Sequence, residues 1–258
     1  MGIDVGFSNE KQSSAVCRMD WDDHSVTWVI KRFRADMADR QRAIEGVGRG
    51  IFVAAAAFDG PLRRGFDRIG HYRIAERILT RRLWSQIGKP GQSSAPVGKM
   101  LNDAANACVD AVCRGCHIGP ATHAIRIDDN AIVEAFPSSF LGLMIEDPTK
   151  LSTRRGNRSD VYFEHLRDLL KRLIGHLLPG RDLASRIEEV ANHDDRAALV
   201  CALTALCVAA NDFTAVGDDN DGWIILPSRA FVQNWAWDIL EANASEEASG
   251  GLYAMAAH

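Results

Sequence analysis

Acidic residues stand at four points of the sequence where a carboxylate could do chemistry. Asp4 lies in a short apolar run between glycines, and Asp59 and Glu134 end two further apolar runs. The pair Asp194 and Asp195 begins a strongly apolar segment. Because a carboxylate is costly to bury without a partner, acids in such positions commonly hold a metal ion or a basic group. Taken alone, Asp4 is explained equally well as a strand-end residue that bonds to its own turn.

Together these acids have the composition of a site for Mg²⁺ or Mn²⁺. Both are hard cations that take oxygen ligands and keep several waters, so carboxylates from separate elements suit them. Two such ions about 4 Å apart can activate a water and stabilise the leaving oxygen of a phosphodiester. The pattern predicts a catalytic two-ion site with Asp4, Asp59, Glu134 and Asp195 as ligands and Asp194 as the alternate to Asp195. Asp4 is expected to be the central, bridging ligand.

Apolar patterning predicts the elements that position these acids. Three short strands joined by polar turns predict an antiparallel meander, and a helix follows. Residues 51–58 are apolar on both faces, which fits a central parallel strand and places Asp59 where open α/β sheets bind their ligands. The predicted strands are 2–6, 14–19, 25–33, 51–58, 122–127, 131–136 and 223–226, and the predicted helices are 36–47, 73–86, 99–114, 138–145, 159–176, 181–191 and 196–210.

The chain is predicted to form one domain over residues 1–244, with a helical insertion at about 62–120 over the sheet edge and a flexible tail at 245–258. The 258 residues are 47% hydrophobic and 25% charged, as in soluble globular proteins. No apolar run approaches the roughly 20 residues of a membrane span, and we expect no membrane partner. Without an export signal, we expect a cytoplasmic protein with reduced cysteines. The abrupt first strand leaves room for a start codon upstream of Met1.

Charge is distributed unevenly around a net value of −4. Residues 61–99 hold nine Lys and Arg against two acids, and residues 149–172 hold seven against three. Residues 181–250 hold thirteen acids against four bases. This asymmetry indicates a rim that faces a polyanion beside an acidic pole, although ordinary solvated helix faces would give the same composition.

The segments that carry the acids resemble a known family. Residues 2–6 (GIDVG), 57–62 (AFDGPL), 133–137 (VEAFP) and 193–205 (HDDRAALVCALTA) are similar, in this order, to domain-of-unknown-function family 429, described as predicted nucleases with a ribonuclease-H-like fold. The resemblance spans residues 1 to about 227. It implies a five-stranded mixed sheet, an antiparallel meander then parallel strands, with helices on both faces. The family's activity is itself inferred from its fold, so this implication is associational.

For the site, the resemblance implies that Asp4, Asp59, Glu134 and one acid of the 194/195 pair face a single metal centre. One departure from the family's pattern affects this set. Many relatives have another acid in the first turn of the last helix, where this chain has Ala197 and Ala198. Asp195 or Asp194 must then supply that ligand.

The sequence therefore favours a metal-dependent nuclease that hydrolyses phosphodiester bonds of nucleic acid. Two cationic loops could hold the phosphate backbone, since guanidinium groups pair well with phosphate oxygens, or they could simply be solvated. The candidate substrate-binding residues are Arg63, Arg64 and Arg68 in the first loop and Arg154, Arg155 and Arg158 in the second.

Two other functions fit the opening strand. An actin-like or sugar-kinase-type phosphotransferase also begins with Asp-x-Gly, but it needs a second Asp-Gly phosphate loop, and Asp221-Gly222 precedes a strand instead of following one. A non-catalytic nucleic-acid-binding relative, whose acids do not assemble, is the third hypothesis. Protein partners are not indicated.

Cysteine spacing raises two cofactor possibilities that we set aside. Residues 113–117 match the C-x-x-C-H pattern of haem attachment, but that chemistry takes place outside the cytoplasm, so we expect no haem. Zinc could be bound by Cys108, Cys113, Cys116 and His117 or His123. We favour small buried thiols at a helix end with chance spacing.

Overall fold

A mixed sheet with helices on both faces organises the chain in the computed structural model, which describes residues 1–63, 71–88, 90–122, 129–151 and 157–256. The sheet strands are β1 (Gly2–Asp4), β2 (Ser14–Trp21), β3 (Ser25–Phe33), β5 (Ala56–Asp59), β7 (Ile132–Ala135), β8 (Asp182–Leu183), β9 (Phe213–Asp218), β10 (Gly222–Leu226) and β11 (Gly251–Met255), while β4 (Phe52–Val53) and β6 (His117–Ile118) form a separate pair. The helices are α1 (Met37–Gly48), α2 (Ile74–Thr80), α3 (Trp84–Ile87), α4 (Pro96–Gly115), α5 (Pro137–Met144), α6 (Arg158–Leu177), α7 (His193–Ala209) and α8 (Asn234–Ser245).

Within the described residues the sheet has nine strands in the order β11-β9-β10-β7-β5-β1-β2-β3-β8. The prediction of an α/β fold with a mixed sheet is confirmed, and the prediction of five strands is wrong. Strands β1, β2 and β3 form an antiparallel meander, and β5, β7 and β10 continue from β1 in parallel. The additional strands are β8 at one edge and β10, β9 and β11 at the other.

The two faces of the sheet have separate cores. Alternate strand residues such as Ala57 and Val133 pack with α5, α6 and α7 on one face, called here the α7 face. Their neighbours Ile3, Phe58 and Ile132 pack with α1 and α4 on the other, called here the α4 face. Successive side chains of a strand point to opposite faces, so the face of any strand residue follows from these clusters.

Three predicted elements differ in the structure. The long strand predicted at 51–58 is broken: Phe52–Val53 pairs with β6, and only Ala56–Asp59 joins the main sheet. The helix predicted at 73–86 is divided at Arg82, whose φ of 61° lies in the left-handed region. The prediction of a helix at 181–191 is wrong, because Asp182–Leu183 forms a strand that pairs with β3. This pairing supplies hydrogen-bond partners to backbone groups of β3 that would otherwise face solvent.

The regions predicted to be peripheral are instead part of the sheet and its layers. The tail predicted to be flexible contains β11, which pairs with β9 from Gly251 to Met255. Helix α4, from the predicted insertion, packs on the α4 face with α1, and α2 packs beside β9 and β10. Within the described residues, the helices are too short or too polar to cross a membrane.

Candidate functional site

Asp4 and Asp59 lie side by side at the carboxyl ends of two neighbouring parallel strands. They are direct register partners in the β1–β5 pair, where strands are about 4.8 Å apart. Asp4 follows Gly2 by two residues and Asp59 follows Ala57 by two, so both side chains belong to the α7 face. Both side chains remain partly exposed at the carboxyl ends of their strands. The structure therefore brings together the first two predicted ligands.

Helix α7 lies directly against the strand that carries Asp4. A Cβ atom on Gly2 would stand 2.0 Å from the backbone nitrogen of Ala202 and 2.4 Å from the carbonyl carbon of Cys201. Only glycine permits this approach of helix backbone to strand backbone. The close contact sets the position of the whole helix, and with it the acids of its first turn.

The first turn of α7 carries Asp194 and Asp195. The side chain of Asn192 caps the helix, because its Oδ1 accepts hydrogen bonds from the backbone N–H groups of Asp194 (2.9 Å) and Asp195 (3.4 Å). Asp195 lies 3.5 Å from the guanidinium of Arg32 and lines a groove of about 430 Å³ on the β3 side. The charges of both Asp194 and Asp195 raise the pKa of Asp4, so both acids of this turn act on the strand pair.

Both strand carboxylates are difficult to ionise. Burial raises the pKa of Asp4 well above its usual range, and the nearby charges of Asp59, Asp194 and Asp195 raise it further. Burial, followed by the charge of Glu134, raises the pKa of Asp59 to about 7, against a smaller opposing effect of His193. Like charges that share a poorly solvated site repel one another. A cation bound between Asp4 and Asp59 would relieve this repulsion.

Glu134 borders the same cavity of about 80 Å³ as Asp59, but its carboxylate is held by an arginine. It follows Ile132 by two residues and is the register partner of Phe58, so it lies on the α4 face, opposite Asp4. There it makes a bidentate ion pair with Arg73: Nη1 donates to Oε2 at 3.0 Å, and Nη2 donates to Oε1. The side chains are 5% and 3% exposed. Both carboxylate oxygens of this predicted ligand are therefore engaged by the guanidinium of Arg73.

Across the described part of the chain, no three His, Cys, Asp or Glu side chains stand close enough together to hold one ion. The carboxylates that the structure places side by side are Asp4 and Asp59, and Asp194 and Asp195 lie on the adjoining first turn of α7.

The predicted substrate-binding arginines are only partly covered by the structure. Arg63 is half-buried in the segment that follows Asp59, and its carbonyl accepts from Nδ2 of Asn102 at 2.9 Å. Arg158 begins α6 and donates to the carbonyl of Trp84 at 2.9 Å. The other four, Arg64, Arg68, Arg154 and Arg155, lie outside the described residues.

The charge asymmetry of the sequence is partly cancelled by tertiary contacts. Arg77 pairs with Glu247 at 2.7 Å, and Arg81 pairs with Glu246 at 2.8 Å. Basic residues of the 61–99 segment thus face acids of the 181–250 segment across the packed helices. Arg77 and Arg81 are therefore paired with acids of this chain, while the expectation of a rim that faces a polyanion stays a prediction.

The cysteines do not assemble a zinc site within the described residues. Cys108 and Cys116 are buried, and the Cys116 thiol donates to the carbonyl of Gly48 at 3.1 Å. Cys113 and His117 are exposed, and His123 lies outside the described residues. Burial raises the pKa of the Cys108 thiol to about 12, which disfavours the thiolate that zinc requires.

Sequence reasoning missed two residues of this region. The sequence places Arg73 only at the start of the helix predicted at 73–86. Its spacing of three residues to Glu76 is that of a capping box, in which the two residues bond to each other at a helix start. His193 precedes the acid pair; its Nδ1 lies 3.0 Å from Asp160, and its Nε2 lies 3.3 Å from Nδ2 of Asn157. Those contacts join the starts of α6 and α7, which lie more than thirty residues apart in sequence. No local pattern signals such pairings.

The raised pKa of Asp59 predicts a pH-dependent stability effect. The folded state keeps this proton up to about pH 7, while the unfolded chain loses it near 3.8, so stability falls as pH rises between those values. We expect Asp59→Asn to raise the free energy of unfolding by on the order of 2 kcal/mol at pH 8, with the difference vanishing below pH 4. Urea unfolding in EDTA at pH 4, 6 and 8 measures it. A difference that does not grow with pH would contradict the raised pKa of Asp59.

Comparison with known proteins adds no assignment: no family model, curated protein or solved structure matches this chain.

Proposed function

We propose that this protein is a metal-dependent nuclease with a ribonuclease-H-like core, and that Asp4 and Asp59 hold its divalent ion. The observation that carries the proposal is the side-by-side placement of these two acids at the carboxyl ends of parallel strands. Open α/β sheets bind their ligands just outside the carboxyl ends of their strands. The central strands β3-β2-β1-β5-β7 support the fold, since they combine the antiparallel meander with parallel strands that the family resemblance implies.

The donor set fits Mg²⁺ or Mn²⁺. Mg²⁺ keeps several waters and is commonly held by one or two carboxylates together with substrate phosphates. Asp4 and Asp59 supply two hard oxygen donors, and within the described residues the charges that act on Asp4 come from other acids. Asp194 lies on the adjoining helix turn, where it adds negative charge next to the pair. When bound, such an ion stabilises charge on a phosphoryl group and lowers the pKa of water.

The chain's own residues would orient the substrate. Glu134 accepts from the backbone N–H of Leu62 at 3.3 Å and so holds the turn that follows Asp59. Arg63 lies directly after that turn, where its guanidinium could pair with a phosphate of the nucleic-acid backbone. Asn157 and Asp160 hold His193 beside the acid pair of α7. These contacts position the site on elements of the core.

Cleavage of labelled oligonucleotides tests the proposal. We expect hydrolysis of DNA or RNA strands in Mn²⁺ or Mg²⁺, complete loss in EDTA, and a saturable heat of Mn²⁺ binding by calorimetry. Asp103→Asn is the matched control, because Asp103 is an exposed acid on α4 and its removal should change neither measurement.

Two results would overturn the proposal. One is the absence of both cleavage and Mn²⁺ binding in the wild-type protein. The other is tight ATP binding in calorimetry without any nucleic-acid cleavage, which would favour the phosphotransferase hypothesis. Nucleic-acid binding without cleavage and without Mn²⁺ binding would instead favour the non-catalytic relative, whose acids do not assemble.

A further inference from the structure

Arg73 binds both carboxylate oxygens of Glu134, the predicted metal ligand on β7. Its guanidinium binds both oxygens of Glu134 and donates from Nε to Oε1 of Glu76 at 2.8 Å and from Nη1 to the carbonyl of Asp221 at 3.2 Å. The three charged side chains are at most 5% exposed. The oxygens of Glu134 are thus already taken by a buried cation.

Further contacts hold Arg73 in this position. Its backbone N–H donates to Oε2 of Glu76 at 3.0 Å, so side chain and main chain are tied to the same acid. Ser93 donates to Glu76 from its backbone N–H at 3.1 Å and from its hydroxyl. Glu134 itself accepts from the backbone of Leu62. Releasing Glu134 to a metal would leave a guanidinium buried without its main partner, which is strongly unfavourable.

The charges on the two faces of the sheet differ accordingly. On the α4 face, Glu134 and Glu76 share Arg73 and the donors of Ser93. On the α7 face, Asp4 and Asp59 are register partners at the carboxyl ends of β1 and β5, so their carboxylates lie next to each other. Among the described residues, these two carboxylates are therefore the ones placed to share an added cation, and they provide for one ion.

We propose that Arg73 is a built-in counter-cation for Glu134, and that the centre at Asp4 and Asp59 accordingly takes one divalent ion instead of two. Arg73 is then a positioning residue, since it acts through Glu134 on the turn that follows Asp59. This inference rests on the proposed function in one respect, namely that the strand pair binds a divalent ion. It differs from the two-ion site that the sequence predicts.

Calorimetric titration with Mn²⁺ alone at pH 8 tests the inference, with native mass spectrometry as an independent count of bound ions. We expect one ion per chain in the wild-type protein. Glu134→Gln should also bind one ion per folded chain, because the carboxylate of Glu134 is held by Arg73 and supplies no ligand to the ion. Asp59→Asn should weaken binding by at least about 30-fold, since it removes one of two charged ligands.

The outcomes separate this inference from the proposed function. Two ions in the wild type, or no bound ion in a folded Glu134→Gln variant, would overturn the role of Arg73 and leave the metal-dependent function standing. No binding at all in the wild type would overturn both. If Glu134→Gln does not fold, the number of ions in the wild-type protein decides the question by itself.

Discussion

Asp4→Asn is expected to abolish metal-dependent cleavage, with a loss on the order of 10³-fold or more, while the fold stays intact. Asp4 lies beside Asp59 and within the influence of both acids of the first α7 turn, so it is the most central carboxylate of the site. Asn has nearly the same shape and no charge. A bound ion stabilises the charge on the phosphoryl group in the transition state by several kcal/mol. Losing it raises the activation free energy by that amount, and each 1.36 kcal/mol lowers the rate about tenfold.

Three measurements distinguish a lost site from a lost fold. Steady-state cleavage rates in Mn²⁺ give the activity, circular dichroism gives the fold, and the Mn²⁺-induced rise in Tm gives ion binding. In Asp4→Asn the rise should disappear along with activity, because an ion that binds only the folded state stabilises it. Asp103→Asn should behave as the wild type does. Cleavage at the wild-type rate by Asp4→Asn would remove Asp4 from the mechanism.

Arg73→Met is expected to lower the free energy of unfolding by about 3–5 kcal/mol, the usual cost of removing one partner of a buried ion pair. Both Glu134 and Glu76 lose their cation, at sites that are 3% and 1% exposed. Burial already raises the pKa of Glu134, and Arg73 opposes that rise. Without the arginine the pKa rises further, so the variant's folded state loses stability as pH increases through the neutral range. The deficit should be larger at pH 8 than at pH 5.

Urea unfolding at both pH values measures this effect, and two further variants control it. Arg42→Met removes an ion pair to Asp39 from a side chain that is 68% exposed, and we expect a change below about 1 kcal/mol. The double variant Arg73→Met with Glu134→Gln should recover much of the loss, since the second change removes an unpaired buried charge. A loss below about 1 kcal/mol in Arg73→Met, without pH dependence, would contradict the buried network.

The sequence predicts the bounds of a strand or helix well where the hydrophobic periodicity of that element is visible in its own residues. Strand β3 begins and ends where alternation predicts, at Ser25 and Phe33. The amphipathic α6 and the apolar α7 differ from their predicted bounds by at most three residues at either end. By contrast, β8 and β11 are strands only because an edge of β3 and an edge of β9 lie beside them. Pairing over such distances leaves no periodic pattern in the sequence.

The sequence by itself determined which acids stand at the ends of apolar segments, and it identified Asp4 and Asp59 as candidates for one site. It could not determine which face each acid takes, because side chains alternate along a strand and a shift of one residue reverses the face. Asp59 is the partner of Ala135, whereas Glu134 is one residue earlier and points the other way. Only the tertiary structure decided that, and it placed Arg73, sixty-one residues away in sequence, against Glu134. The tertiary structure therefore places Asp4 beside Asp59 and places Glu134 in a buried ion pair with Arg73.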